Sequence, residues 1–187
     1  MENIDGEQSL HSRSLWVQDM LIDDFTSEEL ISHTGTRWRA VSDQVMGGVS
    51  RAAIAHEVVG ERPCMRISGD VRLENNGGFI QAALDLHPEN GIVDASGYTG
   101  IRIAVWGNSE EYAVHLRTTA NVRSWQSYRS RFTAEPEWQV VDLPFEEFVP
   151  HRLETPLDKS ELRRIGLVAI GRAFYADLAV SEIGFYV

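Results

Sequence analysis

The sequence predicts an all-β fold, a sandwich or jelly roll, built as a single domain. Short runs that alternate apolar and polar residues recur along the chain, and such alternation places successive side chains on opposite faces of a strand. Turn-forming residues such as Gly69-Asp70, Asn75-Asn76-Gly77-Gly78 and Gly107-Asn108 separate the runs. Helical periodicity is confined to Leu143-Pro144-Phe145-Glu146-Glu147-Phe148 and to Asp158-Lys159-Ser160-Glu161, whose spacing is that of a capping box with Asp in the first place. No internal repeat or shift of composition divides the chain.

The elements follow in order. Residues 1–14 are polar and aperiodic, which predicts a flexible tail ahead of a domain over residues 15–187. Leu21 to Phe25 reads as the first strand, Ser27-Glu28-Glu29-Leu30 as one helical turn, and Trp38 to Val41 as a strand entering a loop. Val49 to Val58 leaves that loop as a return strand, and Met65 to Leu73 alternates through Gly69. Phe79 to Leu84, Ile101 to Val105, Tyr112 to Arg117 and Tyr128 to Phe132 come next, followed by Trp138 to Leu143, Ile165 to Ile170 and Leu178 to Val187. Within them, Tyr112, Val114 and Leu116 share one face while Ala113, His115 and Arg117 share the other; Tyr128, Ser130 and Phe132 likewise lie on one side.

Charge and composition narrow the function. Against 28 acidic side chains stand 17 basic ones, a formal charge of −11, and such a surface repels phosphate backbones and anionic lipid. Nucleic acid is therefore not expected as a partner, nor is membrane insertion, since no run reaches spanning length. Cys64 is the single cysteine, so no intrachain disulfide forms, and Pro63 and Met65 beside it suggest a half-buried strand thiol. Met1-Glu2-Asn3-Ile4-Asp5 is acidic and lacks the apolar core of a signal peptide, which leaves a cytoplasmic protein as the expectation.

The stretch Ser42-Asp43-Gln44-Val45-Met46-Gly47-Gly48-Val49-Ser50 stands out. Adjacent glycines suit a sharp turn or positive φ, and Asp43 is placed to bond nearby backbone amides or to face a shallow cleft. Met46, Gly47, Gly48, Gly77 and Gly78 are expected to be structural loop residues.

This stretch does not stand alone. Asn75-Asn76-Gly77-Gly78-Phe79, Gly97-Tyr98-Thr99-Gly100-Ile101-Arg102 and Tyr112-Ala113-Val114-His115-Leu116-Arg117-Thr118 follow it. Trp138-Gln139-Val140-Val141-Asp142-Leu143-Pro144-Phe145 with Phe148, and Ile165-Gly166-Leu167, complete the series. With these pieces in order from about Leu21 to Val187, the chain resembles the complex I intermediate-associated protein family. The resemblance implies a jelly roll similar to galactose-binding domains, and a binding or assembly role, since the family includes a factor that chaperones the building of respiratory complex I. Two places depart from the pattern: Gly171 to Asp177 replaces the usual glutamine, glycine and proline-phenylalanine segment, and His151-Arg152-Leu153 replaces an arginine-glycine. Family domains also occur fused to Rossmann domains, but this chain has no Gly-x-Gly-x-x-Gly run.

Catalytic constellations do not emerge. Asp43 and Asp85 are loose candidates for paired carboxylates, no serine sits in a nucleophile elbow, and the six histidines fall in scattered contexts. No catalytic metal spacing occurs and no cofactor is expected, although Asp23, Asp24 and Asp43 have the hard oxygens that a structural calcium takes. The expectation is a non-catalytic protein-interaction module, an assembly factor for respiratory complex I or another multi-subunit complex. The alternative is a carbohydrate or small-ligand binding domain. For either, a shallow polar-aromatic site is expected from Asp43, Asn76, Arg117 and Tyr128, with Trp125 and Gln126 beside it. The competing structural reading pairs Arg117 with Asp43 or Asp142 and puts Tyr128 in the core; Trp38 and Trp138 read as packing residues.

Overall fold

The structure, a computed structural model, describes residues 19–187. The tail expected over residues 1–14 and the first residues of the expected domain, 15–18, lie outside the described residues. Twelve strands form two antiparallel sheets of six. They are β1 (Met20–Asp23), β2 (Arg39–Ser42), β3 (Ala53–Val59), β4 (Arg62–Val71), β5 (Phe79–Asp85) and β6 (Gly100–Trp106), then β7 (Glu110–Thr118), β8 (Ser127–Ala134), β9 (Gln139–Pro144), β10 (Val149–His151), β11 (Leu162–Ile170) and β12 (Phe174–Tyr186). Sheet I has the order β3-β4-β12-β6-β9, and β1 takes over the edge of the long β12 where β4 leaves it. Sheet II has the order β10-β8-β7-β11-β5-β2. This is the jelly-roll sandwich that the sequence predicts.

The period-2 pattern sets the core. Met65, Ile67, Ile101, Ile103, Val105, Leu178, Val180 and Phe185 project inward from sheet I; Ile80, Leu84, Val114, Leu116, Phe132, Ile165 and Leu167 project inward from sheet II. Burying a side chain of this size contributes about 1.5–3 kcal/mol, so the interface between the sheets dominates stability.

Several local expectations change. Residues 43–58 do not make a return hairpin: β2 ends in sheet II and β3 belongs to sheet I, so the loop between them crosses the sandwich. The loop holds a 3-10 turn over Asp43–Met46, closed by Gly47 at φ 87°. Residues 27–30 and 158–161 form turns, not helices; in the second, the Asp158 carboxylate accepts from the Ser160 amide at 3.0 Å and turns the backbone on itself. Cys64 is fully buried, and burial, then the nearby Glu57, pushes its thiol pKa up. Trp38 is a core residue whose indole N–H donates to Asp23 at 2.8 Å. Half-buried Trp138 donates to the Val59 carbonyl at 3.1 Å and meets Trp106 edge-on.

Candidate functional site

Asp43 is the anchor of the crossing loop. It is fully buried, with its carboxylate accepting from the Ser50 amide (2.9 Å), the Ser50 hydroxyl (2.5 Å), and the Gly78 and Phe79 amides (2.5 and 3.3 Å). Burial alone would raise its pKa; the Ser50 hydroxyl and these three amides outweigh that and hold it below the ordinary carboxylate value. A Cβ at Gly48 or at Gly77 would fall 2.4 Å from this carboxylate, which is why two glycines flank it. Asp43 therefore fastens the loop after β2 to the loop before β5. Met46 is exposed on the outside of that junction, and so is Asn76, which adopts φ 59° ahead of Gly77.

The outer face of sheet II is different in kind. The strand registers lay Arg39, Ala83, Gly166, His115, Arg129 and Val149 side by side across the sheet. One pleat further, Val41, Gln81, Val168, Ala113 and Arg131 form a second row. On the other side of the first row, Asp85, Arg164 and Arg117 are neighbours. The floor is thus made of small residues, Ala83, Gly166 and Ala113, between walls of arginine. A Cβ on Gly166 would come within 2.4 Å of the Gln81 side-chain oxygen, so glycine keeps the floor low beneath that amide.

Five arginines (39, 117, 129, 131 and 164) and two carboxylates (Asp85 and Glu111) belong to these three rows and their continuation on β7. Asp85 is shared by Arg164 (2.7 Å) and Arg39 (3.0 Å), and Glu111 pairs with Arg131 at 3.3 Å. Among the described residues, Arg117 and Arg129 have no carboxylate partner: Arg117 donates to the Arg123 carbonyl at 3.1 Å and Arg129 to the Ser127 hydroxyl at 2.8 Å. Both guanidinium pKa values fall, first through burial and then through neighbouring arginines. Sheet I shows the contrast. There Arg66 sits between Asp177 and Glu57, and Arg102 between Asp142 and Asp19.

The four expected site residues do not converge. Arg117 and His115 do face outward from β7, as the alternation implies. Tyr128 is directly opposite Leu116 in the register and so faces the core, where it is fully buried and donates to the Thr155 carbonyl at 2.7 Å. Tyr128→Phe is expected to cost about 1 kcal/mol in a thermal or chemical unfolding curve, the usual worth of one such bond. Asp43 and Asn76 lie at the Phe79 end of β5, while Arg117 lies near its Asp85 end, about 20 Å away at 3.3 Å per residue. The same separation keeps Asp43 and Asp85 from facing each other. Arg117 pairs with neither Asp43 nor Asp142, the latter being held by Arg102. Asp23 and Asp24 gather with His33, and Asp43 is not part of that group.

Trp125 is half-exposed on the loop between β7 and β8, beside Arg123, whose guanidinium lies 6.0 Å from the ring centre. Sequence reasoning missed Arg129, although the inward setting of Tyr128 and Phe132 implies that Arg129 and Arg131 point out. Arg163, Asn90 and Asn121 carried no motif. Among the described residues, no serine hydroxyl or cysteine thiol is hydrogen-bonded to a histidine ring.

Comparison with known proteins agrees with this architecture. The family described as Complex I intermediate-associated protein 30 (CIA30) matches residues 24–179. No curated protein matches the chain. Among solved structures, it is similar to a family 11 carbohydrate-binding module from Clostridium thermocellum, solved in complex with a β-1,3-1,4-mixed-linked tetrasaccharide (15% identity, 91% of this chain and 96% of that one, TM-score 0.70). It is also similar to the family 30 carbohydrate-binding module of a cellulosomal cellulase from the same organism (16% identity, 89% and 96%, TM-score 0.54). Part of an exo-β-agarase is similar too (12% identity, 88% of this chain and 24% of that one, TM-score 0.56). At these identities the likeness is one of fold.

Proposed function

The chain belongs to the Complex I intermediate-associated protein 30 family, and from that premise we propose that it is a non-catalytic binding module whose outer sheet II face receives an acidic, extended segment of a protein partner. The observation that carries this reading is the arginine-walled floor of small residues, where Arg117 and Arg129 lack carboxylates. The small residues of the floor are themselves buried beneath the longer side chains of the face, so an extended segment would lie across the guanidinium groups, and its Asp and Glu side chains supply the acceptors that those forks lack. Family membership supports an assembly role for respiratory complex I or another multi-subunit complex; a cytoplasmic setting is part of the same proposal and rests on the N-terminal sequence. Among the described residues, no helix is long and apolar enough to cross a membrane.

Purified chain titrated with a glutamate-rich peptide tests the proposal. Saturable binding is expected, weakening about tenfold as salt rises from about 50 to about 300 mM. Arg129→Glu should abolish it and Arg62→Glu, on sheet I, should not. Absence of binding, or equal loss in both variants, overturns the reading. A second reading rests on Trp125, an exposed indole beside arginine that suits stacking on a sugar ring. A neutral β-glucan oligosaccharide that alters tryptophan fluorescence independently of salt, and fails to do so in Trp125→Ala, would favour that one.

A further inference from the structure

At one end of the arginine face, a pocket of about 250 Å³ opens between the end of β7, the Asn90–Gly91 turn and the start of β11. Three guanidinium groups, Arg117, Arg163 and Arg164, line it against one carboxylate, Asp85. That carboxylate is already paired on both sides, one oxygen accepting from Arg164 and the other from Arg39. Arg163 and Arg117 are left with neutral acceptors, the carbonyls of Asn90 and Arg123, each at 3.1 Å. Glu161, on the neighbouring turn, is engaged by the Thr119 hydroxyl.

Asn121 adds an independent sign. It lines the pocket and is more than nine-tenths buried, and its side-chain oxygen accepts from the Thr118 amide at 2.6 Å. That bond fixes the amide and leaves its Nδ2 a buried donor with no acceptor among the described residues, a rare condition in a folded protein. Donors therefore exceed acceptors around the whole cavity. A neutral sugar, whose hydroxyls must donate as well as accept, finds no free carboxylate here. A group that only accepts matches the three guanidinium groups and the Asn121 amide.

We propose that this pocket binds a compact oxyanion, a carboxylate, phosphate or sulfate, on a molecule of about the size of one sugar ring. Arg117 and Arg163 are its two forks, and Arg164, tied to Asp85, is a fixed neighbouring charge. The site shares Arg117 with the face described above, but the small-residue floor and Arg129 lie outside the pocket, so the two are tested by different variants.

The test is a thermal-shift and calorimetric titration of the full chain with inorganic phosphate, glucuronate and glucose at constant ionic strength. Saturable stabilisation by phosphate or glucuronate, with none by glucose, is the expected result. Tighter binding of glucuronate identifies a sugar acid as the source of the oxyanion; tighter binding of phosphate identifies a phosphorylated ligand. Arg117→Gln and Arg163→Gln should each weaken binding about tenfold, and Arg131→Gln, on the same face but outside the pocket, should leave it unchanged. Arg163 is exposed, so its variant keeps the test valid if Arg117→Gln fails to fold. No saturable response to either anion, an equal response to glucose, or an equal loss in Arg131→Gln would overturn the assignment. Because Arg129→Glu reports only on the peptide, failure of one proposal is separable from failure of the other.

Discussion

Asp43→Ala should lower the unfolding free energy by about 4 kcal/mol, and so lower the melting temperature by about 10 °C. The size follows from what the side chain holds. Its two oxygens take four donors, three of them backbone amides belonging to two loops, and the carboxylate is fully buried. Truncation removes the acceptor from all four donors, and each buried group left unsatisfied costs about 1–3 kcal/mol. It also opens a gap between Gly48 and Gly77, whose backbones are packed against the carboxylate. Asp43→Asn keeps the shape but turns an NH2 toward some of those donors, so an intermediate loss is expected. Differential scanning calorimetry separates the three proteins. An Asp43→Ala melting curve that overlays the wild type would show that the loop is not fastened this way.

The second large effect is with pH. His115 is on the outer face of sheet II opposite Arg129, and its ring pKa falls from 6.5 to about 3. Burial is the main cause, followed by Arg129, His151 and Arg131. The folded ring stays neutral while the unfolded one takes up a proton near its ordinary pKa. Below about pH 6.5 the unfolded state therefore binds one more proton, and stability falls by about 1.4 kcal/mol per pH unit until the folded ring titrates near 3. His151, whose pKa is also lowered, acts in the same direction. Asp43 and Asp85, lowered too, add their own losses only as pH falls below the ordinary carboxylate value. Asp23 and Glu182, whose carboxyl pKa values burial raises, act in the opposite sense, so the comparison of wild type with His115→Gln in urea unfolding between about pH 6.5 and 5 isolates the histidine, and the variant should have the flatter slope. An unchanged slope in that variant would contradict the assignment.

Which parts of this were legible in the sequence depends on what alternation encodes. Within one strand, parity is visible: Tyr112, Val114 and Leu116 point inward, so His115 and Arg117 point outward, and the structure agrees. Between strands, parity needs the register. Tyr128 opens the strand after Arg117, and alternation alone does not say which face it takes; the pairing of Tyr128 with Leu116 turns it to the core. Arg129, one residue on, takes the outward place. The loop from Asp43 was recognisable from its glycines, but its role in joining two sheets was not, since the donors Gly78 and Phe79 come from 35 and 36 residues away. The pocket was invisible for a related reason. Arg163, Asn90 and Asn121 belong to no motif and meet only because β7 and β11 are neighbours in the sheet.

The most direct test of the arginine face as the binding surface is an amide-resolved NMR footprint. Uniformly 15N-labelled chain would be titrated with the glutamate-rich peptide, and the shifted amides mapped onto the two sheets. Shifts concentrated on β7, β8 and β11 around His115, Arg129 and Gly166 are the predicted result. Shifts confined to sheet I, or to the exposed loop over residues 43–49, would contradict it.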